Sequence, residues 1–352
     1  MINLGNPQAR NLLVGGSNCI IKDGYGSCLQ GMIPGVWHNE SLGNSSSLRG
    51  VEYIINHPSI DEVDYIFFEY TLNDLIFEIS NTLDPVAHFN WLESLVSIVS
   101  IRKKLVFILL HGLGAYPRLQ SGHSFVLNNY RGIIDRFNIR HIDLFPLIHE
   151  SITMTGQAEV FKDNDHFSPK MVHALVAQSE IQLSVFSEHS LPSIAELTDR
   201  NTKVSIVDPL LNGQIQGAFT YEYSTNLVSA TLVRLSTSSK IRFESPGGYL
   251  VGFYAIASQD SGCVLITHKH RNIVKVMSHR FNHSKPYLTL RHLTTPLYTE
   301  EGEEIIIRCV NHIYSVPHAI LDHTLAEVIH RDAICGFEVN VGKFIFLISS
   351  NH

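Results

Sequence analysis

The stretch NLLVGGSNCIIKDGYGS, residues 11–27, decides how the fold is read. An apolar run at residues 12–14 breaks at Gly15 and Gly16 and delivers Ser17 and Asn18. A short apolar run closed by glycine reads as a buried strand, and the polar residues behind it stand where a helix begins. A serine at such a turn is either a helix cap or a nucleophile. The choice depends on what else the chain brings to that end of the strand.

The following segments repeat the pattern. DYIFFEY (64–70), KLVFILLHG (104–112) and RHIDLFPLI (140–148) read as further strands. Asp84-Pro85 is an N-cap with proline at the first helical position, followed by Phe89, Leu92, Leu95, Val96 and Val99 at helical spacing. Ser168-Pro169 opens a later helix in the same way. Strands alternating with helices predict a parallel sheet covered by helices, an α/β domain over residues 1–190. Beyond it come short β-branched and aromatic runs separated by turn residues: KVSIV, SATLVRL, KIRFE, YLVGFYAIA, GCVLITH, NIVKVM, PYLTLR, EIIIRCV, AICGFEVN and KFIFLI. Residues 191–352 are therefore expected to form an all-β domain, a sandwich or jelly roll. Residues 318–332 suit helix and strand equally.

Composition bounds the function classes. With 44% hydrophobic and 17% charged residues, the 352-residue chain has the material for two packed domains. A formal charge of −7 leaves no basic stripe for nucleic acid. No apolar run reaches the roughly 18 residues of a membrane span. Cys19, Cys28, Cys263, Cys309 and Cys335 are odd in number and form no C-x-x-C pair. Together with a start that lacks the basic and apolar regions of a secretory signal, they lead to an expected cytoplasmic location. The histidines at 268 and 270, and His312, His318, His323 and His330, lack paired cysteine ligands and an H-E-x-x-H pattern, so no metal is expected. Tyr221, Tyr223, Tyr249, Phe253 and Tyr254 read first as core, with stacking on sugar rings as the alternative.

The polar residues at the strand ends make a chemical set. A serine hydroxyl needs a base, usually a histidine oriented by a carboxylate, and His166 with Asp163 three residues earlier supplies both. Asp165 is the other carboxylate within reach. Acyl transfer also needs donors aimed at the developing oxyanion, and the candidates are the N–H groups of Ser17 and Gly43 and the Asn73 amide. Cys19 reads as a small residue packed under the turn. His111, at the end of a strand, either lines the cleft or merely finishes the strand.

Ser17 in its Gly-x-Ser-Asn turn, Gly43 in a Ser/Asn-rich loop, Asn73 before an aspartate and the late Asp163-x-x-His166 resemble, in order and spacing, the four blocks of the SGNH (GDSL-type) hydrolase superfamily. The match covers roughly residues 10–187 and departs from the family twice: GGS stands for the usual GDS, and TLND, with Thr71, for GxND. The resemblance implies a flavodoxin-like three-layer α/β/α domain that hydrolyses or transfers ester-linked acyl groups, often O-acetyl groups on carbohydrate. The expected location favours transfer to a carbohydrate or surface polysaccharide through an acyl-serine, with no bound cofactor and acetyl-CoA as donor. The alternatives are an O-acetyl esterase using the same triad and a non-catalytic glycan-binding module.

Overall fold

The computed structural model describes residues 6–185, 202–225, 228–258, 260–277, 286–312, 316, 318–322 and 336–349. His323, His330, Cys335 and most of the ambiguous 318–332 segment lie outside them. The chain folds as two compact units, Met1–Ile79 with His88–Asn201 and Ser80–Ala87 with Thr202–His352.

In the first unit, strands β1 (Arg10–Gly15), β2 (Val36–Asn39), β3 (Tyr65–Glu69), β4 (Leu105–Leu109) and β5 (Arg140–Asp143) form a parallel sheet in the order β2-β1-β3-β4-β5. Its helices are α1 (Tyr25–Met32), α2 (Ser47–Ile55), α3 (Thr71–Ile79), α4 (Pro85–Ser97), α5 (Val99–Lys104), α6 (Tyr116–Gln120), α7 (Phe125–Phe137), α8 (Phe145–Thr155), α9 (Gln157–Val160) and α10 (Pro169–Ser184). This is the flavodoxin-like order, whose switch point lies between β1 and β3. β1, β3 and β4 are continuous apolar runs because a parallel strand is covered on both faces; every residue of β4 is buried. β2 alternates exposed and half-buried positions over four residues, which is why no apolar run marks it. The two proline-opened helices are capped as read. Asp84 Oδ1 accepts the Val86 and Ala87 N–H groups at 3.0 and 2.8 Å, and Ser168 Oγ accepts that of Met171 at 3.3 Å. Val99 opens α5 instead of extending α4.

The second unit is β-rich. Its strands are β6 (Thr202–Val207), β7 (Gln214–Gln216), β8 (Phe219–Ser224), β9 (Ser229–Ser236), β10 (Lys240–Ala257), β11 (Cys263–His268), β12 (Arg271–Val276), β13 (Tyr287–Val310), β14 (Ile320–Asp322) and β15 (Glu338–Ser349), with one short helix, α11 (Pro209–Asn212). They join in one hydrogen-bonded sheet along β14-β12-β11-β13-β10-β15-β9-β8, with β6 on β15 and β7 on β10. Three pairs of runs that read as separate strands are single long ones. KIRFE and YLVGFYAIA are both β10, PYLTLR and EIIIRCV are both β13, and the end of AICGFEVN continues through KFIFLI as β15. Pro246-Gly247-Gly248 has turn chemistry, yet Pro246 and Gly248 pair in register with Glu301 and Thr299 of β13, just past a register shift between Glu244 and Pro246, so the strand continues without reversing. Phe253 is buried and stacks near Phe344 at 5.5 Å, whereas Tyr249 is 45% exposed and Tyr221 lies under the Arg234 guanidinium at 4.6 Å.

Among the described residues no helix is long and apolar enough to cross a membrane, and no three metal-ligating side chains gather. His268 faces Glu303 at 2.7 Å.

Gly248 has a φ of +85°, and a Cβ there would overlap the Leu347 carbonyl oxygen. Gly302 has a φ of +80° with open space around it. In denaturant titrations Gly248→Ala is expected to cost about 2–4 kcal/mol and Gly302→Ala only about 1 kcal/mol. Equal losses would show that the Leu347 contact is not what demands glycine at 248.

Candidate active site

The site begins where β1 and β3 end level. Gly15 pairs with Glu69 in the sheet, and the next residue, Gly16, donates its N–H to the Glu69 carbonyl at 3.0 Å and to Glu69 Oε2 at 3.3 Å. Ser17 then opens a single 3-10 turn, Ser17–Cys19, with its side chain partly exposed. Asn73 stands in the first turn of α3, across the switch point from Ser17.

The histidine comes from the loop between α9 and α10. Phe161 and Phe167 form an isolated antiparallel bridge and stack at 5.3 Å, which closes the loop into a tight hairpin. Inside it, Asp163 Oδ1 accepts the backbone N–H groups of Asp165 and His166, each at 2.9 Å, and both carboxyl oxygens lie 2.9 Å from His166 Nδ1. Burial works to raise the Asp163 pKa. The N–H of Asp165 and the His166 ring outweigh it and hold the carboxyl below its usual value. Since Nδ1 faces a carboxylate it carries the proton, and Nε2 presents its lone pair to Ser17 Oγ, 3.1 Å away. Asp163 thus takes the orienting place. Asp165 contributes its backbone carbonyl, which accepts the Asn18 Nδ2–H at 2.9 Å and ties the serine turn to the histidine loop.

The three oxyanion candidates gather around the same serine. A Cβ on Gly43 would come 3.6 Å from Ser17 Cβ, so a larger side chain would cover the hydroxyl. Asn73 donates one Nδ2 hydrogen to the Ser45 carbonyl at 2.9 Å, and an amide nitrogen carries a second. Its carboxamide lies against Gly16, where an added Cβ would overlap Oδ1 and approach Cγ to 2.8 Å. A side chain at position 16 would therefore require Asn73 to move from its present place. Thr71 is equally placed: buried at the start of α3, it donates Oγ1–H to the Ile108 carbonyl of β4 at 3.2 Å.

His111 is buried beside Tyr116, Phe145 and Phe161 rather than open to the cleft, and burial pushes its pKa down to about 4. Cys19 is buried under the turn, as read, with its thiol 3.4 Å from Glu69 Oε2. Asn18, Glu69 and Asp74 are the polar groups that sequence reasoning left without a role. The first and last stand in the quoted motifs, and Glu69 is the lone charge in an apolar strand.

Fold and site together set Ser17, His166 and Asp163 in hydrogen-bond sequence at the carboxyl ends of a flavodoxin-like parallel sheet, in an α/β unit joined to a β-rich unit. The two-domain esterase CEX, active on acetylated mannans, shares this architecture. Two of its crystal structures, one containing mannopentaose, match 98% of this chain and 92% of their own at TM-scores of 0.66 and 0.67 and 12% identity. A structure of Axe2, an acetyl xylan esterase from Geobacillus stearothermophilus, matches 53% of this chain and all of its own at a TM-score of 0.43 and 13% identity. No family model matches the sequence, and no curated protein matches it.

Two predictions follow from the floor of the site. Gly16→Asp, which introduces the aspartate of the GDS pattern, is expected to displace Asn73 and lower kcat by about 10²-fold or more, on the scale of losing one oxyanion donor; wild-type turnover would refute the steric reading. Burial pushes the Glu69 pKa up to about 8 from an ordinary value of 4.5. The folded state therefore binds more protons than the unfolded one between these values, and stability falls as pH rises through the interval. Urea midpoints at about pH 5 and about pH 8 should drop for the wild type and drop less for Glu69→Gln, and an unchanged slope in the variant would place the linkage elsewhere.

Proposed function

We propose that this protein is a serine O-acetyl esterase acting on an acetylated carbohydrate. The observation that carries the reading is the 3.1 Å contact between Ser17 Oγ and His166 Nε2 across 149 residues of chain, with Asp163 on the far side of the ring. His166 takes the Ser17 proton as the hydroxyl attacks the acetyl carbonyl, and the oxygen that gains charge is met by the Ser17 and Gly43 N–H groups and the Asn73 amide. His166 then protonates the departing sugar oxygen. Water, deprotonated by the same imidazole, attacks the acetyl carbonyl and releases acetate, and His166 returns the proton to Ser17 Oγ. Asp163 holds the ring and stabilises its cationic form at both steps.

Hydrolysis is preferred to transfer. CEX, which shares the two-unit fold, is an esterase active on acetylated mannans, whereas transfer from acetyl-CoA was expected from the inferred compartment alone. A non-catalytic glycan-binding module has no use for an aligned proton relay, so the assembled triad also favours an enzyme. Acetylated mannan is accordingly the first substrate to test.

Ser17→Ala is expected to lower acetate release from acetylated manno-oligosaccharides by about 10³-fold or more. It should also abolish labelling by a fluorophosphonate probe without changing the melting temperature. Acetylation of the glycan by acetyl-CoA, without release of free acetate, would overturn hydrolysis in favour of transfer. Unlabelled wild-type protein that still binds glycan would overturn the enzyme.

A further inference from the structure

Asn73 is followed by a residue the triad does not use. Asp74 is fully buried; its Oδ1 accepts the Ser47 N–H at the start of α2 at 2.8 Å, and its Oδ2 lies 3.1 Å from His88 Nε2 and 2.9 Å from the Tyr130 hydroxyl. Ser47 Oγ in turn accepts the Trp91 indole N–H at 2.9 Å. The other ring nitrogen of His88 meets Asn129 Nδ2 at 3.0 Å. An amide nitrogen only donates, so His88 Nδ1 holds the lone pair and Nε2 directs its proton at Asp74. Burial, and then the neighbouring Asp74, push the Tyr130 pKa well up, so its hydroxyl stays a donor.

All of these bonds converge on one loop. Asn73 grips it at the Ser45 carbonyl and Asp74 at the Ser47 N–H, and Ser45, Ser46 and Ser47 are all fully buried. We propose that Asp74, His88 and Tyr130 form a buried clamp that fixes loop 43–47 and with it the Gly43 and Asn73 oxyanion donors, which makes them positioning residues for the reaction. The inference rests on the esterase reading. Stability alone gives little reason for such a network, because well-packed apolar groups of the same volume fill a core about as well. Three donors converging on one carboxyl instead fix where a loop stands.

Tyr130→Phe is the sharpest test. It removes one hydroxyl and keeps the ring against Phe107 and His88, at 5.4 and 5.6 Å. On acetylated manno-oligosaccharide it is expected to lower kcat about tenfold with KM changed by less than about twofold, the signature of a loss felt in the transition state. In an Asn73→Ala background the same change should cost less than about threefold, since one of the donors it positions is gone. His88→Gln provides a second variant of the same clamp. Hydrogen exchange at the Ser47 amide reads the clamp without activity and should quicken about tenfold in Tyr130→Phe while β4 is unaffected. Unchanged exchange overturns the clamp even if the wild type is inert, an outcome that would separately sink the esterase reading. Faster exchange with wild-type kcat, or the full tenfold loss repeated in Asn73→Ala, overturns the positioning role.

Discussion

The site depends on the level pairing of Gly15 with Glu69 at the ends of β1 and β3. Because two parallel strands stop together, the turns that follow them diverge from one point. That point is the switch in strand order, where a crevice is unavoidable. The Gly16 N–H bonded to the Glu69 carbonyl fixes the height of the serine turn. Ser17, Asn73 and the loop between β2 and α2 then face one small volume. A register slip of one residue would carry Ser17 and Asn73 out of step and turn their flanking side chains to the opposite faces.

The histidine is delivered by different physics. Its loop is small enough for Asp163 to satisfy two backbone N–H groups and the imidazole at once, so the ring is oriented by local bonds before it meets the serine. The long-range part falls to Asn18, which bonds to the Asp165 carbonyl across 147 residues. A locally rigid hairpin held by this tie and by the Gly114 N–H on the Asn164 carbonyl, at 3.3 Å, can be set to within hydrogen-bond distance of the serine. A flexible loop would have to surrender its conformational entropy each time the imidazole met the serine.

Legibility in the sequence followed the range of the interactions. Ser17, Asp163 and His166 could be read because each sits in a local signal, a glycine-closed apolar run or an i, i+3 pair ahead of a proline-opened helix. Gly43 and Asn73 could be read as turn residues at successive strand ends. The parts that escaped depend on partners far along the chain. Nothing in FFEY shows that Glu69 lies beneath a turn 53 residues earlier, and nothing in TLND shows that Asp74 meets Tyr130, 56 residues on. In the second unit, Pro246-Gly247-Gly248 has a turn composition that fits a reversal and a continuing strand alike. Only the neighbouring strands β13 and β15 decide between them.

The side chain of Asn73 lies where a side chain on residue 16 would have to go, and Thr71 anchors the helix that carries Asn73 to β4. Any side chain at position 16 must therefore be answered by a movement of Asn73. The turn ahead of Ser17 and the first turn of α3 are thus fitted to each other, and a change in one sets what the other can carry.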